Sequence, residues 1–235
     1  MTMCGARRTH VLAAIPRHPI PSPSMTPDHR GMRHMMNAVE GPREPVIFSQ
    51  VMDSLFRLTG RQRFDADTRK RLKTIGVDMD QPLLVAYSVP IWRATVGVCA
   101  EILHPHLPSA QARYRIGYAL TDSYGRTTMG SAVLQLFRML GWQSSLSRIT
   151  RGLQSGTNFL SAQSRFLEGG ALELRFEVLP EFHAALGNQS GIEPHFMNGS
   201  MDAMMALVGA PFRSGEYQPD QSGLQHAVFV LHRKD

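Results

Sequence analysis

A glutamate and two histidines near residue 100 are the residues whose types best suit metal chemistry. Glu101, His104 and His106 form an E-x-x-H-x-H string, and carboxylate and imidazole groups are common zinc ligands. The two histidines flank Pro105, where a helix must end, and side chains two residues apart do not share a helical face. The string therefore predicts ordinary residues at a helix end, and we expect no bound metal.

Motifs of nucleophilic and phosphate chemistry are present only in outline. Residues 125–131 have the spacing of a P-loop, but its lysine is absent and no predicted strand precedes the segment. Ser190 lies one place late for a nucleophile elbow. Cys99 falls on the apolar face of a predicted helix, which is typical of a small core residue rather than a reactive thiolate. The sequence therefore predicts a protein that is not an enzyme.

Four polar residues around predicted helix ends allow two interpretations. Asp122, Tyr124, Arg126 and Arg151 combine a carboxylate, a phenol and two guanidinium groups. Such groups can orient a bound ligand, or they can form an internal ion pair that fixes two helices together. The second interpretation is favoured.

Composition excludes several classes of protein. Of the 235 residues, 43% are hydrophobic and 19% are charged, which is enough apolar material for a packed core. Because no run approaches the roughly 18 apolar residues of a spanning helix, we expect no membrane span. The two cysteines, Cys4 and Cys99, exclude a disulfide scaffold and fit a reducing compartment, so we expect a cytoplasmic protein.

The net charge of +6 is divided evenly between the first 44 residues and the rest of the chain, and the basic residues of the body fall in two clusters. We expect solvated helix faces, paired with acidic residues from the C-terminal third, because no known nucleic-acid-binding motif accompanies the arginines. Nucleic acid is therefore not a favoured partner. The clusters contain Arg57, Arg61, Arg63, Arg69, Lys70, Arg71 and Lys73, and then Arg113, Arg115, Arg126, Arg138, Arg148 and Arg151.

The first 44 residues differ from the rest of the chain. Seven of the fifteen prolines lie between Pro16 and Pro45, and repeated proline removes backbone donors and blocks helix formation. We predict a disordered tail at 1–44 and a single domain at 45–235. The composition change also permits a natural start at Met35 or Met36, and the sequence leaves that question open.

Hydrophobic periodicity predicts an α+β domain. Residues 46–156 follow a helical pattern with no convincing strand, including one helix capped by Ser109 and one at 144–153. Residues 158–167 and 172–179 then flank a glycine turn, and the second segment alternates apolar and polar residues as a strand does. A helix at 194–208, a loop and a strand at 226–232 complete a β-β-α-β order with a small antiparallel sheet.

The predicted helix at 194–208 carries an apolar stripe of Met197, Met201, Met204 and Val208. Thioether side chains adapt their shape, so the stripe either belongs to a tight core or lines a pocket for an apolar ligand. In the second case the pocket faces the alternating strand, and Phe176 lines it as well. These five residues are the candidate ligand-binding residues.

Several segments follow one another in a characteristic order. They are 48–59 (FSQVMDSLFRLT), 72–78 (LKTIGVD), Tyr87, 90–92 (PIW), 116–118 (IGY), 124–126 (YGR) and 153–159 (LQSGTNF). Taken in this order, they resemble an uncharacterised paralogous family expanded in myxobacteria. The resemblance covers about residues 46–231 and its motifs are structural in character, so it implies no catalytic or binding residues.

More distantly, helices followed by β-β-α-β are similar to a superfamily of vinyl-reductase-type small-molecule-binding domains, haem nitric-oxide-binding domains and TRAPP subunits. That similarity implies a ligand cavity between helices and sheet, and a homodimer. Its haem domains use a Tyr-x-Ser-x-Arg string, which this sequence lacks, so we expect no cofactor. The sequence therefore favours a non-enzymatic sensory or regulatory domain that binds a small, partly apolar molecule. The alternative is a protein-interaction or scaffolding module without a ligand.

Overall fold

The computed structural model describes residues 43–146 and 148–234. The predicted disordered tail, 1–44, lies outside the described residues except for its last two. Helices occupy most of the described chain up to residue 156, as the periodicity predicted. The helices are α1 (Ser49–Thr59), α2 (Ala66–Thr74), α3 (Val89–Leu103), α4 (Ser109–Gly125), α5 (Thr128–Leu140), α6 (Trp142–Leu146), α7 (Ile149–Gly156), α8 (His183–Leu186) and α9 (Pro194–Leu207).

Two short strands in the helical region were missed by the sequence analysis. Strand β1 (Val46–Phe48) pairs antiparallel with β2 (Ala86–Ser88). The expectation of no strand before residue 156 was therefore wrong. The strands escaped detection because three residues are too few to show an alternating pattern. The side chain of Asn158 holds β1 in place, since its Oδ1 accepts from Val46 N at 2.9 Å and its Nδ2 donates to Glu44 O at 2.9 Å.

Two helix predictions also need correction. The segment 144–153 is not one helix, because α6 ends at Leu146 and α7 begins at Ile149. Pro108, not Ser109, stands at the N-cap of α4. The Ser109 hydroxyl instead accepts from Arg113 Nε at 3.3 Å.

The main sheet has four antiparallel strands in the order β3-β4-β6-β5. The hairpin and last strand predicted from the sequence are present, but the predicted loop before β6 contains a further strand, β5. Gly215 and a register irregularity between residues 212 and 215 hide its strand pattern, because glycine disfavours strands and often marks a bulge. The strands are β3 (Leu160–Phe166), β4 (Leu172–Val178), β5 (Phe212–Tyr217) and β6 (His226–Arg233).

The alternating residues of β4 place one face of the sheet in the core. Leu172, Leu174, Phe176 and Val178 each expose 2% or less of their surface. Glu173, on the opposite face, is also buried at 6%, because Arg165 directly across on β3 covers it with a bidentate ion pair of 2.7 Å per bond. The α+β class is confirmed. In the described part of the chain, no helix has the length and apolar character that crossing a membrane requires.

Candidate functional site

Helix α9 carries three of the five predicted ligand-binding residues, Met197, Met201 and Met204, and a fourth, Val208, is its C-cap residue. Met197, Met201 and Val208 expose 7%, 4% and 5% of their surface, and Met204 is half-buried against the same core. Phe176, the fifth, is fully buried on β4. All five therefore belong to one contiguous hydrophobic core, and the lining of a ligand pocket by them stays a prediction.

The local sequence determines where α9 begins and ends. Pro194 occupies its first position, where the missing N–H is harmless, and the Glu193 side chain accepts from His195 N at 3.3 Å. Gly209, with φ of 69°, follows the last turn. Helix α9 packs mainly against α4 and β5, so these two elements are its principal neighbours.

A chain of aromatic contacts links the predicted strand residue to α9. Phe176 meets Phe229 on β6 edge-to-face at 5.7 Å between ring centroids, and Phe229 meets Tyr217 on β5 at 5.5 Å. Tyr217 in turn lies 6.3 Å from the ring of His195, at the start of α9. The structure thus connects the two halves of the predicted site through side chains that the sequence analysis did not select.

A row of polar side chains runs along α9 beside the methionines. His195, Asn198 and Asp202 follow a three- and four-residue spacing and therefore share one face of the helix. Asp202 exposes only 8% of its surface. Its carboxyl oxygens accept from Tyr114 Oη on α4 at 2.6 Å and from Gly215 N on β5 at 2.8 Å. The spacing of these polar residues could have been recognised in the sequence, but the prediction for this segment rested on its methionines instead.

Asn198 has a buried oxygen that lacks a hydrogen-bond partner among the described residues. A Cβ on Gly215 would lie 2.8 Å from Asn198 Oδ1, so the glycine leaves the space that this oxygen occupies. An unsatisfied buried acceptor costs about 1–3 kcal/mol. This atom is the feature of the site that most needs a chemical explanation.

The candidate metal string does not form a metal site. Glu101 is held by Arg71 on α2, which lowers the pKa of its carboxyl group. Burial and the nearby charge of Arg115 lower the pKa of His104. Within residues 43–146 and 148–234, no group of three or more histidine, cysteine, aspartate or glutamate side chains is placed to hold a metal ion.

The other candidates are dispersed. Arg126 pairs with Asp122 at 2.7 Å within the end of one helix, so the expectation that this pair joins two helices was wrong. Tyr124 and Arg151 are exposed. Cys99 is fully buried, and desolvation raises the pKa of its thiol to about 11, in keeping with a small core residue.

Ion pairs of the first basic cluster are local. Arg57 and Arg61 both pair with Asp53, Arg69 pairs with Asp80, Arg71 pairs with Glu101 and Lys73 pairs with Asp78. The expectation of partners from the C-terminal third is therefore wrong for these residues, because acids on α1, on α3 and in the connection after α2 are nearer. In the second cluster, Arg113 does reach such an acid, Glu193, at 3.6 Å.

Two surface features lie away from α9. A polar groove of about 320 Å³ on the outer face of the sheet is lined by β3 and β4, with its charges paired as Arg165–Glu173 and Arg175–Glu177. On α5, Leu136, Met139 and Leu140 are 51%, 84% and 43% exposed. Their spacing puts these three apolar side chains, the α5 stripe, on one face of the helix.

These features define an α+β domain in which helices pack with a four-stranded antiparallel sheet. One of the helices, α9, carries a row of polar side chains. The chain belongs to the family described as "Protein of unknown function (DUF2378)", which matches residues 45–228. A search of curated proteins gives no significant match.

Solved structures of H-NOX proteins share the fold. The chain is 13% identical to an H-NOX protein from S. oneidensis in the Fe(II)NO ligation state, with a TM-score of 0.51 over 80% of this chain and 97% of that one. A triple mutant of an H-NOX protein from S. oneidensis in the Fe(II) ligation state gives 12% identity and a TM-score of 0.51, over 77% of this chain and 95% of that one. Identities this low establish the fold alone. The shared fold confirms the resemblance to haem nitric-oxide-binding domains at the level of the fold, and the resemblance to vinyl-reductase-type domains and TRAPP subunits stays a prediction.

The described residues do not fit a haem. The core beside α9 is filled by side chains that expose 7% or less of their surface, Met201 and Phe176 among them. A haem would have to displace several of them, so no role is derived through that group.

Proposed function

We propose that this chain is a cytoplasmic, non-enzymatic sensory or regulatory domain that binds a small, partly apolar molecule between α9 and the four-stranded sheet. The observation that carries the proposal is the unpartnered Asn198 Oδ1 beside an apolar, methionine-rich helix. Binding sites of small molecules combine apolar walls with a few placed polar groups. The fold shared with H-NOX proteins, solved in Fe(II) and Fe(II)NO ligation states, supports the same class of function.

The methionines of α9 give the wall its adaptability. Unbranched thioether side chains change rotamer at little cost, so they can make room for an incoming molecule without unfolding the helix. Asp202 ties α9 to Tyr114 on α4 and to Gly215 on β5. A ligand that shifts α9 would therefore also move α4 and β5. In this way ligand binding would change the conformation of the protein surface.

Native mass spectrometry of the full chain purified from its own host tests the proposal. We expect a small molecule to copurify with the parent protein. The fraction of protein that carries it should be lower, or zero, in Met201→Ala and Met204→Ala. Met52→Ala is the matched control, because Met52 is a fully buried methionine of α1, and it should lower stability without changing the bound mass. Only the ligand-free mass, in every preparation, would contradict ligand binding.

The α5 stripe favours a second candidate, an interaction module that forms a homodimer. Contiguous exposed apolar patches larger than a few hundred Å² mark interaction surfaces, and a stripe on one helix can pair with its own copy about a two-fold axis. Light scattering after size exclusion tests this idea. Met139→Glu should yield monomers, whereas Leu84→Glu, at a leucine 59% exposed between α2 and β2, should leave a dimer intact. A monomeric parent protein would exclude the homodimer.

A further inference from the structure

We infer that the molecule bound at α9 presents a neutral hydrogen-bond donor, such as a hydroxyl or amide N–H, to Asn198 and carries no negative charge at that end. This inference rests on the proposed ligand-binding function and specifies its ligand class. The starting point is the Asn198 oxygen, which is buried without a partner among the described residues. A donor supplied by a ligand would remove the cost of that unsatisfied acceptor.

The neighbouring donors on the protein are already used. Tyr114 Oη donates to one oxygen of Asp202, and the backbone N–H of Gly215 donates to the other. Gly215 is also the residue beside Asn198 Oδ1. The Gly215 N–H thus donates to the Asp202 carboxylate, and the amide oxygen of Asn198 remains for a group from outside.

The same arrangement disfavours an anionic ligand. Asn198 Oδ1 and both oxygens of Asp202 are acceptors, and all lie on one face of α9. A carboxylate or phosphate placed against Asn198 Oδ1 would gain no hydrogen bond from that oxygen and would lie close to the Asp202 carboxylate, so its lost hydration would be poorly compensated. A hydroxyl group can donate its hydrogen to Asn198 Oδ1 and adds no negative charge beside Asp202.

A pair of probes with the same alkyl chain tests this inference on the full chain. Decan-1-ol and decanoate differ only in the polar end, and ligand-observed NMR measures the binding of each. We expect decan-1-ol to bind the parent protein at least roughly fivefold more tightly than decanoate, the difference of about one hydrogen bond. Asn198→Leu should abolish that preference by weakening alcohol binding.

Asn188→Leu is the matched control, because Asn188 is exposed in the turn after α8, and it should keep the parent's preference. Asn198→Leu should melt no lower than the parent, which separates loss of binding from loss of folding. Equal binding of the two probes, tighter binding of decanoate, or an unchanged preference in Asn198→Leu would overturn the inference while leaving ligand binding intact. Binding of neither probe, together with a ligand-free mass from the native host, would overturn the proposed function as well.

Discussion

Gly117 on α4 and Gly199 on α9 each lie against the backbone of the other helix. A Cβ added to Gly117 would stand 2.0 Å from Phe196 O, and one added to Gly199 would stand 1.9 Å from Tyr114 O. Both distances are far below any real Cβ contact. The two helices therefore touch through their backbones, and this contact sets the position of α9 and its polar row.

Alanine at either glycine should force the helices apart. We expect Gly117→Ala and Gly199→Ala each to lower the free energy of unfolding by about 3 kcal/mol or more, since the clashing atoms are backbone and cannot rotate away. Urea denaturation measures the change. Gly152→Ala is the control: Gly152 lies in α7 with nothing within 4 Å of an added Cβ, so alanine there should stabilise by about 0.5–1 kcal/mol. Equal effects at the three sites would contradict the close helix contact.

Removing the Tyr114 hydroxyl should weaken the link between α4 and α9. Tyr114→Phe deprives the buried Asp202 carboxyl of one of its two donors, and we expect a loss of about 1–3 kcal/mol in unfolding free energy. Tyr118→Phe is the matched control on the same helix, because Tyr118 is 38% exposed. Thermal unfolding of both variants would refute the prediction if Tyr118→Phe were the more damaging change.

The thiol of Cys99 should be inert in the folded protein. Burial raises the pKa of this group to about 11 and leaves it no exposed surface, so almost no accessible thiolate exists at pH 8. In a Cys4→Ser background, we expect a chromogenic disulfide reagent to react with Cys99 only at the rate of unfolding. Rapid reaction at pH 8 without denaturant would show that α3 opens locally.

The ion pair between Glu101 and Arg71 should contribute stability at neutral pH and not in acid. Hydrogen bonding to Arg71 holds the pKa of the Glu101 carboxyl below its ordinary value. A carboxyl with a lowered folded-state pKa stabilises the fold above its unfolded-state pKa, and that contribution disappears as pH falls through the folded-state pKa. Both side chains are more than half exposed, so the contribution is about 0.5 kcal/mol.

Urea denaturation of Arg71→Gln at two pH values checks this expectation. The variant should be less stable than the parent at pH 7 and equal to it at an acid pH below the folded-state pKa of the Glu101 carboxyl, where the group is protonated in both states. Arg63→Gln is the control, since Arg63 forms no ion pair within the described residues. A difference between Arg71→Gln and the parent that persists in acid would mean that Arg71 acts through packing.

The sequence by itself determined the elements whose pattern is local. The apolar spacing of α1 and α9 and the alternation of Leu172 to Val178 appear in the structure, because helical and strand periodicity are written in neighbouring residues. The burial of Met201 and Phe176 follows from the same patterns.

Only the tertiary structure decided the contacts between distant segments. Strand β5 became visible through its pairing with β6, the approach of Gly117 to Gly199 depends on two helices about 80 residues apart in sequence, and Asp202 is buried only because α4 and β5 supply its donors. From sequence alone, a polar residue on a helix is predicted to face solvent, because its hydrogen-bond partners on other elements are not known. The physical reason is that burial of a polar group and close backbone approach are properties of pairs of segments, and a single segment's composition does not contain them.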